Sequence, residues 1–311
     1  MVWTTPRVAV SDLNNLYQPS YYDNVINQLE QGSASRFRKL ISHKRRRQLL
    51  RSFAHRFSIL KRAMPKSNVR LLEVGCGNGN FMVYLQDRGW QVTGADISPY
   101  AVTLARKRGL QVFQGELSEF NFALNQFDGI VMHHVLEHVY FPKELLRETY
   151  RILKPDGILI IEVPNIDGFS ARFFGPHWRR LALPLHVNHF SPTTLPLMLK
   201  QDHFTIKAIV HSSPDVSATW KVGLKAIIRM LLRRELEPCI FGYIDEIEGN
   251  HKDSKVPLRT DIIDLFLDPF FVLIPLLEKI VSSGTDFTII ASKKCSANED
   301  SENPNNDEPP V

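Results

Sequence analysis

Cysteine, paired metal-ligand motifs and long apolar runs are all scarce in this sequence. The three cysteines, Cys76, Cys239 and Cys295, lie far apart and are odd in number, so neither a disulfide framework nor a structural zinc site is expected. The longest uncharged apolar stretch, Pro269–Leu277, is well short of the roughly 18–20 residues that span a bilayer. The first residues lack a basic start followed by an apolar core, so we expect no signal peptide and a cytoplasmic protein.

The overall composition is that of a folded chain. Of its 311 residues, 43% are hydrophobic and 23% are charged, which excludes a wholly disordered or collagen-like protein. At about 100–200 residues per domain, the length suits one large domain or two small ones. We expect one α/β domain that carries a helical insertion.

Acidic residues are missing from one segment, and basic residues are missing from another. Residues 36–70 contain thirteen Lys or Arg and no acid, whereas residues 296–311 contain five acids and no base. The formal charge of +5 is therefore concentrated near the amino terminus. Apolar residues at spacings of three and four predict a basic amphipathic helix over 36–68, after an N-terminal extension of residues 1–35: Leu50, Phe53, Phe57, Leu60 and Met64.

Two interpretations of this basic helix are open. Its charges form either a solvated face or a patch for anionic lipid headgroups or nucleic-acid phosphate. A peripheral contact with an anionic membrane therefore stays among the expectations. The acidic tail, 296–311, cannot bury apolar surface and is predicted to be disordered.

Strands and helices alternate from residue 69 onward. Short apolar segments bounded by turn residues predict strands, with helices between most of them, at 69–74, 90–96, 110–115, 127–133, 157–163, 204–212 and 286–294. Such alternation predicts a parallel α/β sheet with helices on both faces. The core would then comprise 69–213 and a last strand within 286–295, with an apolar helical insertion at 214–285.

A glycine-rich loop follows the first of these strands. It reads Glu73-Val-Gly75-Cys-Gly77-Asn-Gly79, and Asp96 ends the next strand, where a carboxylate can accept ribose hydroxyls. The spacing is not that of a dinucleotide site or a triphosphate P-loop. An acid beside the loop would repel a pyrophosphate but suits a cationic sulfonium amino acid.

The segments LLEVGCGNGNF, GADIS and FDGIVMHHVLEHV closely resemble the class I S-adenosylmethionine-dependent methyltransferases. The resemblance covers residues 69–213 and the last strand. It implies a Rossmann-like, mostly parallel sheet whose last strand is antiparallel, and S-adenosylmethionine as cofactor. Carried over position by position, it implies these cofactor-binding residues: Glu73, Gly75, Gly77, Gly79, Asp96, Ile97, Glu116, Leu117 and His133.

His134, Glu137 and His138 share one face if they lie on a helix. Their spacing matches the inverted zinc-peptidase pattern, but they follow a strand of a cofactor-binding sheet, which argues against a peptidase. The stretch also resembles the ubiquinone-biosynthesis O-methyltransferases, in which an acid, a Glu and a His are associated with divalent metal. Here His134 stands in place of the acid. We therefore expect no divalent metal, and expect the Glu and the second His to hydrogen-bond the turn.

Residues 164–190 lie over the carboxyl edge of the predicted sheet, where such folds bind ligands. Trp178 followed by P-x-H-x-x-H-F-S resembles a small-molecule branch of methyltransferases that act on sugars, lipids or quinone-like phenols. The expected substrate contacts are Trp178, Arg179 and Phe174. Because an oxygen nucleophile must lose a proton, His186 is the first candidate for the general base and His189 the second.

The favoured hypothesis is a methyltransferase that acts on an oxygen of a small molecule. A nucleic-acid methyltransferase is the second, although the sequence has neither an N-P-P-Y-like tetrapeptide after the fourth strand nor a suitably placed cysteine. A non-catalytic, S-adenosylmethionine-binding module at a membrane is the third. No nucleic-acid partner is expected, and the oligomeric state is left open.

Overall fold

The structure is a computed structural model that describes the residues 2–3, 36–65, 68–212, 219–220, 223–224, 227 and 284–294, with side chains in the first helix described from Arg46 on. The predicted acidic tail lies outside the described residues. So do nearly all of the N-terminal extension and of the insertion at 214–285.

The strands among the described residues are β1 Val2–Trp3, β2 Arg70–Val74, β3 Gln91–Asp96, β4 Val112–Gln114, β5 Phe127–His133, β6 Leu153–Pro164, β7 Asn188–His189, β8 Phe204–Ser212 and β9 Asp286–Lys293. Seven of them form one sheet in the order β4-β3-β2-β5-β6-β9-β8, and β1 and β7 form a small antiparallel pair. All neighbours in the large sheet are parallel except β9, which is antiparallel to both β6 and β8. The predicted sheet, with its antiparallel last strand, is confirmed.

The α-helices are α1 Arg36–Ala63, α2 Asn80–Gln86, α3 Pro99–Lys107, α4 Pro142–Ile152, α5 Phe169–Phe174 and α6 Thr194–Gln201. Local chemistry explains where one of them, α3, begins. At α3 the Ser98 hydroxyl accepts a hydrogen bond from the Ala101 backbone N–H at 3.3 Å, and Pro99 occupies the first turn. Among the described helices, none is long and apolar enough to cross a membrane.

One strand begins earlier than the sequence pattern predicts. The turn Pro155-Asp156-Gly157 suggests a strand start at residue 157, but β6 runs from Leu153. Leu153 already pairs with Phe127 of β5, and the register shifts between Phe127 and Gly129. The turn residues therefore form an irregularity within β6, because β6 pairs with β5 both before and after them.

Each face of the sheet buries an apolar cluster. On one face, the sheet packs with α4 and α6 through residues such as Leu146 and Leu199. On the other face, α1, α2 and α3 pack through residues such as Leu60, Met82 and Val102. These two layers position the carboxyl ends of the parallel strands at one exposed edge.

Helix α1 runs antiparallel to the parallel strands. Near its end, the Met64 sulfur lies 2.5 Å from the position that a Cβ on Gly129, at the start of β5, would take. Further back, Arg56 contacts Glu162 near the carboxyl end of β6. The N-terminal half of α1 therefore extends past the carboxyl edge of the sheet. Of the predicted apolar stripe, Phe53 is buried, but Leu50 is 45% exposed.

Candidate active site

The glycine loop between β2 and α2 is held against β3. The Gly75 backbone N–H donates to the Ala95 carbonyl at 2.7 Å. Gly75, Gly77 and Gly79 have φ angles of 69°, 54° and 78°, a region that favours glycine. A Cβ at Gly75 would collide with Val135, whereas one at Gly77 would meet no atom within 4 Å. The loop thus leaves open space beside Gly77.

Asp96 joins this loop to the end of β3. One carboxylate oxygen accepts the Gly77 N–H at 2.7 Å, and the other accepts the Ser98 N–H at 2.9 Å. Burial raises the pKa of Asp96, and these two hydrogen bonds oppose the rise. The carboxylate positions the loop, and each oxygen keeps a further lone pair for a ligand hydroxyl.

Glu73 and His133 form a buried polar pair beside the loop. Glu73 Oε1 lies 3.8 Å from His133 Nδ1, and both Glu73 Oε2 and His133 Nδ1 are buried without a hydrogen-bond partner among the described residues. Burial is the main cause that raises the pKa of Glu73 to about 8, with Arg56 opposing it and Asp96 adding to it. Burial likewise holds the pKa of His133 well below its usual range. Unsatisfied buried groups of this kind suit a polar, cationic ligand.

The remaining predicted cofactor residues lie at the ends of β3 and β4. Ile97 is 48% exposed, and Glu116 is exposed as well. Leu117 is 4% exposed and belongs to the apolar cluster on the α4 side of the sheet. Their contacts with a cofactor stay predictions.

His134 lies between two carboxylates. Its Nδ1 is 3.2 Å from Glu137 Oε1, and its Nε2 is 3.4 Å from Glu162 Oε1. Glu162 also accepts hydrogen bonds from Arg56, from Nε at 2.9 Å and from a terminal nitrogen at 3.3 Å. Because both ring nitrogens of His134 face carboxylate oxygens, the ring carries both protons and is cationic.

The protonation states in this network follow from its geometry. Burial alone would lower the pKa of His134, but hydrogen bonds to Glu137 and Glu162 outweigh it and raise the pKa to about 9. Burial alone would raise the pKa of Glu137, but His134 reverses this and lowers it to about 2. Arg56 and His134 likewise keep the pKa of Glu162 well below its usual range. The network is a set of paired ions at neutral pH.

Three further histidines gather near this network. His138 Nδ1 donates to the Leu185 carbonyl at 3.1 Å, and His186 Nδ1 donates to the Arg180 carbonyl at 2.8 Å. The His138 and His186 rings are 4.6 Å apart, and His189 lies 6.5 Å from His186. Burial lowers the pKa of all three, most strongly for His186. The structure thus brings both predicted base candidates together in the neutral form.

The predicted substrate residues are placed differently from one another. Trp178 and Phe174 are 1% and 2% exposed and pack together with Ala171. The Trp178 indole N–H donates to the Ser170 hydroxyl at 3.2 Å. Arg179 is half-buried. In this arrangement the two aromatic rings support the loop, and their contact with a substrate stays a prediction.

Sequence reasoning missed two ion pairs of this region, Arg56 with Glu162 and Arg180 with Asp286, the second at 2.9 Å. One signal was available, because Arg56 lies on the same helix face as the apolar residues Phe53 and Leu60. The single acid within the apolar strand GILIIEV was another.

Within the described residues, two groups of side chains have ligand atoms close enough to hold a metal ion. One comprises Glu137, His138 and His186, and the other comprises His134, Glu162 and Asp286. In the second group His134 is itself cationic, which disfavours a second cation at the same place. The first group has a neutral histidine pair and an unpartnered carboxylate oxygen, Glu137 Oε2.

Comparison with known proteins decides the family. A sequence model of the methyltransferase-domain family matches residues 41–208, just over half of the chain. The chain belongs to the class I S-adenosylmethionine-dependent methyltransferases. The methyltransferase is 30% identical over 167 residues to an uncharacterized protein of Methanocaldococcus jannaschii, a match that covers 53% of this chain and 78% of that relative.

A second relative has a named activity. Over 153 residues the methyltransferase is 30% identical to the ubiquinone biosynthesis O-methyltransferase of Xanthomonas oryzae pv. oryzae. This match covers 46% of the chain and 64% of that relative, so the chain spans just under two thirds of its length. The crystal structure of the cyclase SpnF superposes with a TM-score of 0.54 at 17% identity, over 95% of this chain and 100% of that one. This last likeness concerns the fold alone.

The residues of the methyltransferase fit S-adenosylmethionine. The open space at Gly77 allows close approach to the backbone. The unpartnered oxygen of Glu73 and nitrogen of His133 leave buried polar atoms to be satisfied, and the Asp96 carboxylate can accept hydrogen bonds from ligand hydroxyl groups. A cationic amino acid joined to a nucleoside meets each of these requirements.

Proposed function

We propose that this methyltransferase moves a methyl group from S-adenosylmethionine to an oxygen of a small molecule, a sugar, a lipid or a phenol. The observation that carries this proposal is the neutral, buried imidazole of His186 at the carboxyl edge of the sheet. An oxygen nucleophile, unlike an amine that is already neutral, needs such a base as the new bond forms.

The tautomer of His186 supports its role. A carbonyl oxygen only accepts hydrogen bonds, so the contact with Arg180 places the ring proton on Nδ1. Nε2 is then the basic atom that can take the acceptor's hydroxyl proton. His189 is the second candidate, because its Nε2 is buried without a partner among the described residues.

When bound, the cofactor would supply a methyl group on a sulfonium sulfur; as the acceptor oxygen gains this methyl group, the S–CH3 bond breaks and the sulfur leaves with the bonding electron pair as a neutral thioether. Gly77, Asp96 and Glu73 would hold the cofactor, and the main task of the chain is to align the acceptor oxygen with that methyl group. Burial of the histidine cluster excludes water, which favours transfer to the bound acceptor.

No divalent metal enters this proposal. The cationic His134 sits between the carboxylates of Glu137 and Glu162, and supplies positive charge at that position. Ubiquinone-type relatives support an oxygen acceptor but leave its identity open.

Radiolabelled methyl transfer into fractionated host extract tests the proposal. Label in base-labile or ether-linked small molecules, absent with an Asp96→Asn variant, is the expected result. Label that is confined to RNA would replace the proposal with a nucleic-acid methyltransferase. Cofactor binding with no transfer into any fraction would favour a non-catalytic module.

A further inference from the structure

The exposed basic end of α1 lies on the active-site side of the molecule. Phe53 of this helix contacts Phe81, with ring centroids 5.3 Å apart, and Phe81 in turn contacts His133 at 5.2 Å. Helices rise about 1.5 Å per residue, so Arg47 lies about 9 Å beyond Phe53 along the axis. The arginines of this end therefore project past the edge at which the cofactor loop opens.

This end of the helix combines positive charge with an exposed apolar residue. Arg46, Arg47 and Arg51 are all exposed, and no described acid pairs with them. Leu50, in their midst, is 45% exposed. No Asp or Glu occurs anywhere in residues 36–70 to offset the charge.

A second apolar feature lies at the same edge. Helix α5 follows the carboxyl end of β6 after four residues, and it exposes Phe169 by 38% and Phe173 by 55%. Their rings are 6.2 Å apart. Exposed aromatic and aliphatic residues beside arginines are typical of a surface that meets lipid headgroups and acyl chains.

The combination favours a membrane over a nucleic acid. A phosphate backbone is met by charge and polar groups, and it offers nothing apolar to the exposed parts of Leu50, Phe169 and Phe173. An anionic bilayer satisfies both the arginines and the apolar side chains, because its headgroups are negative and its acyl region lies directly beneath them.

We propose that Arg46, Arg47, Leu50 and Arg51, together with Phe169 and Phe173, form a membrane-docking face that binds anionic lipid surfaces and presents the active-site edge to the bilayer. The acceptor is then a molecule held in the membrane. This second part rests on the proposed methyl transfer, whereas the docking itself does not.

Co-sedimentation of the full chain with vesicles tests the docking. The probes are phosphatidylcholine vesicles with and without phosphatidylglycerol. Each basic residue near such a surface contributes roughly a fivefold factor in binding, so R46Q/R47Q should lower partitioning onto the anionic vesicles about 25-fold. Adding F173S should lower it further, and cofactor affinity should be unchanged in both variants.

The matched control is K61Q/R62Q, at the other end of the same helix. These two residues are also exposed, and they lie about 22 Å from Arg46 along the axis, well beyond the roughly 8–10 Å over which salt screens charge. Their replacement should change partitioning less than about threefold. Equal losses in the two double variants would overturn the proposal, as would salt-sensitive RNA binding with no vesicle binding.

The acceptor is tested by presenting a lipid extract either in anionic vesicles or dispersed in detergent. R46Q/R47Q should slow methyl transfer in vesicles and leave the rate in detergent unchanged. If the protein binds vesicles in a charge-dependent way but transfers no methyl group either in vesicles or in detergent, the proposed function is refuted and the docking face is supported. Equal rates for wild type and variant in vesicles would refute a membrane-held acceptor.

Discussion

Arg56 of α1 donates hydrogen bonds to both carboxylate oxygens of Glu162 on β6, at 2.9 and 3.3 Å. Glu162 is 3% exposed, and the Arg56 side chain is 16% exposed. A helix with a strongly basic sequence thus supplies one of its charges to the interior of the active site. The other basic residues of this helix whose side chains the structure describes, Arg46, Arg47, Arg51, Lys61 and Arg62, are exposed.

Loss of this arginine should destabilise the fold. Arg56→Gln leaves a buried carboxylate with only His134 to balance it, which should lower the free energy of unfolding by about 3 kcal/mol. Urea denaturation measures the change. The exposed Arg51→Gln, on the same helix, should shift stability by less than about 0.5 kcal/mol. Arg56→Gln combined with Glu162→Gln should recover part of the loss, and a double variant that is no better than the single one would contradict a paired-ion role.

Gly77 and Gly89 offer a matched test of the cofactor loop. Both have positive φ, 54° and 78°, and both leave open space for a Cβ. Alanine at either position should cost about 1 kcal/mol of backbone strain. Only Gly77→Ala should also weaken S-adenosylmethionine binding, by at least tenfold, in calorimetry. Equal affinity in the two variants would place the cofactor elsewhere.

Cofactor affinity should depend on pH through Glu73. Because burial raises the pKa of Glu73 to about 8, the carboxyl group is protonated below this pH in the ligand-free protein. A cationic ligand favours the ionised form, so affinity should rise nearly tenfold per unit between pH 5.5 and 7.5, as expected from proton linkage. Titration calorimetry of wild type and Glu73→Gln compares the slopes. A slope that persists unchanged in Glu73→Gln would assign the proton to another group.

The base assignment predicts a split between binding and turnover. His186→Ala should keep cofactor affinity and lower kcat by about 100-fold or more. His189→Ala should lower kcat by a smaller factor. His55→Ala, on the exposed side of α1, should leave kcat unchanged. Full turnover by His186→Ala would remove its catalytic role. If His189→Ala instead lowers kcat more than His186→Ala does, His189 is assigned as the base.

Because the His134 ring is cationic, we expect the activity of the enzyme to be independent of metal ions. Chelator treatment should leave both activity and melting temperature unchanged, because the cationic ring already balances Glu137 and Glu162. His134→Glu removes that cation and adds a carboxylate, so Mn²⁺ or Mg²⁺ should then raise the melting temperature of the variant. Stabilisation of the wild type by the same ions would show instead that a metal site, such as Glu137, His138 and His186, is in use.

Much of the fold could be predicted from sequence because its signals are local. The strand 127–133 and the strand 204–212 coincide with β5 and β8 to the residue. Turn residues, caps and apolar periodicity act over a few positions, so a single chain is enough to find them. The start of β6 was misplaced because pairing with β5, which the local pattern does not contain, extended the strand.

By itself, the sequence determined the glycine loop, the acid at the end of β3 and the alternation that builds the sheet, since each depends on neighbours a few residues apart. Only the tertiary structure decided which charges meet. Arg56 and Glu162 are 106 residues apart in the chain, and the pairing of Arg180 with Asp286 spans the same interval. Such contacts arise because the sheet brings distant strand ends to one edge and α1 packs across them. The low polarity of that buried edge then forces the charges to pair.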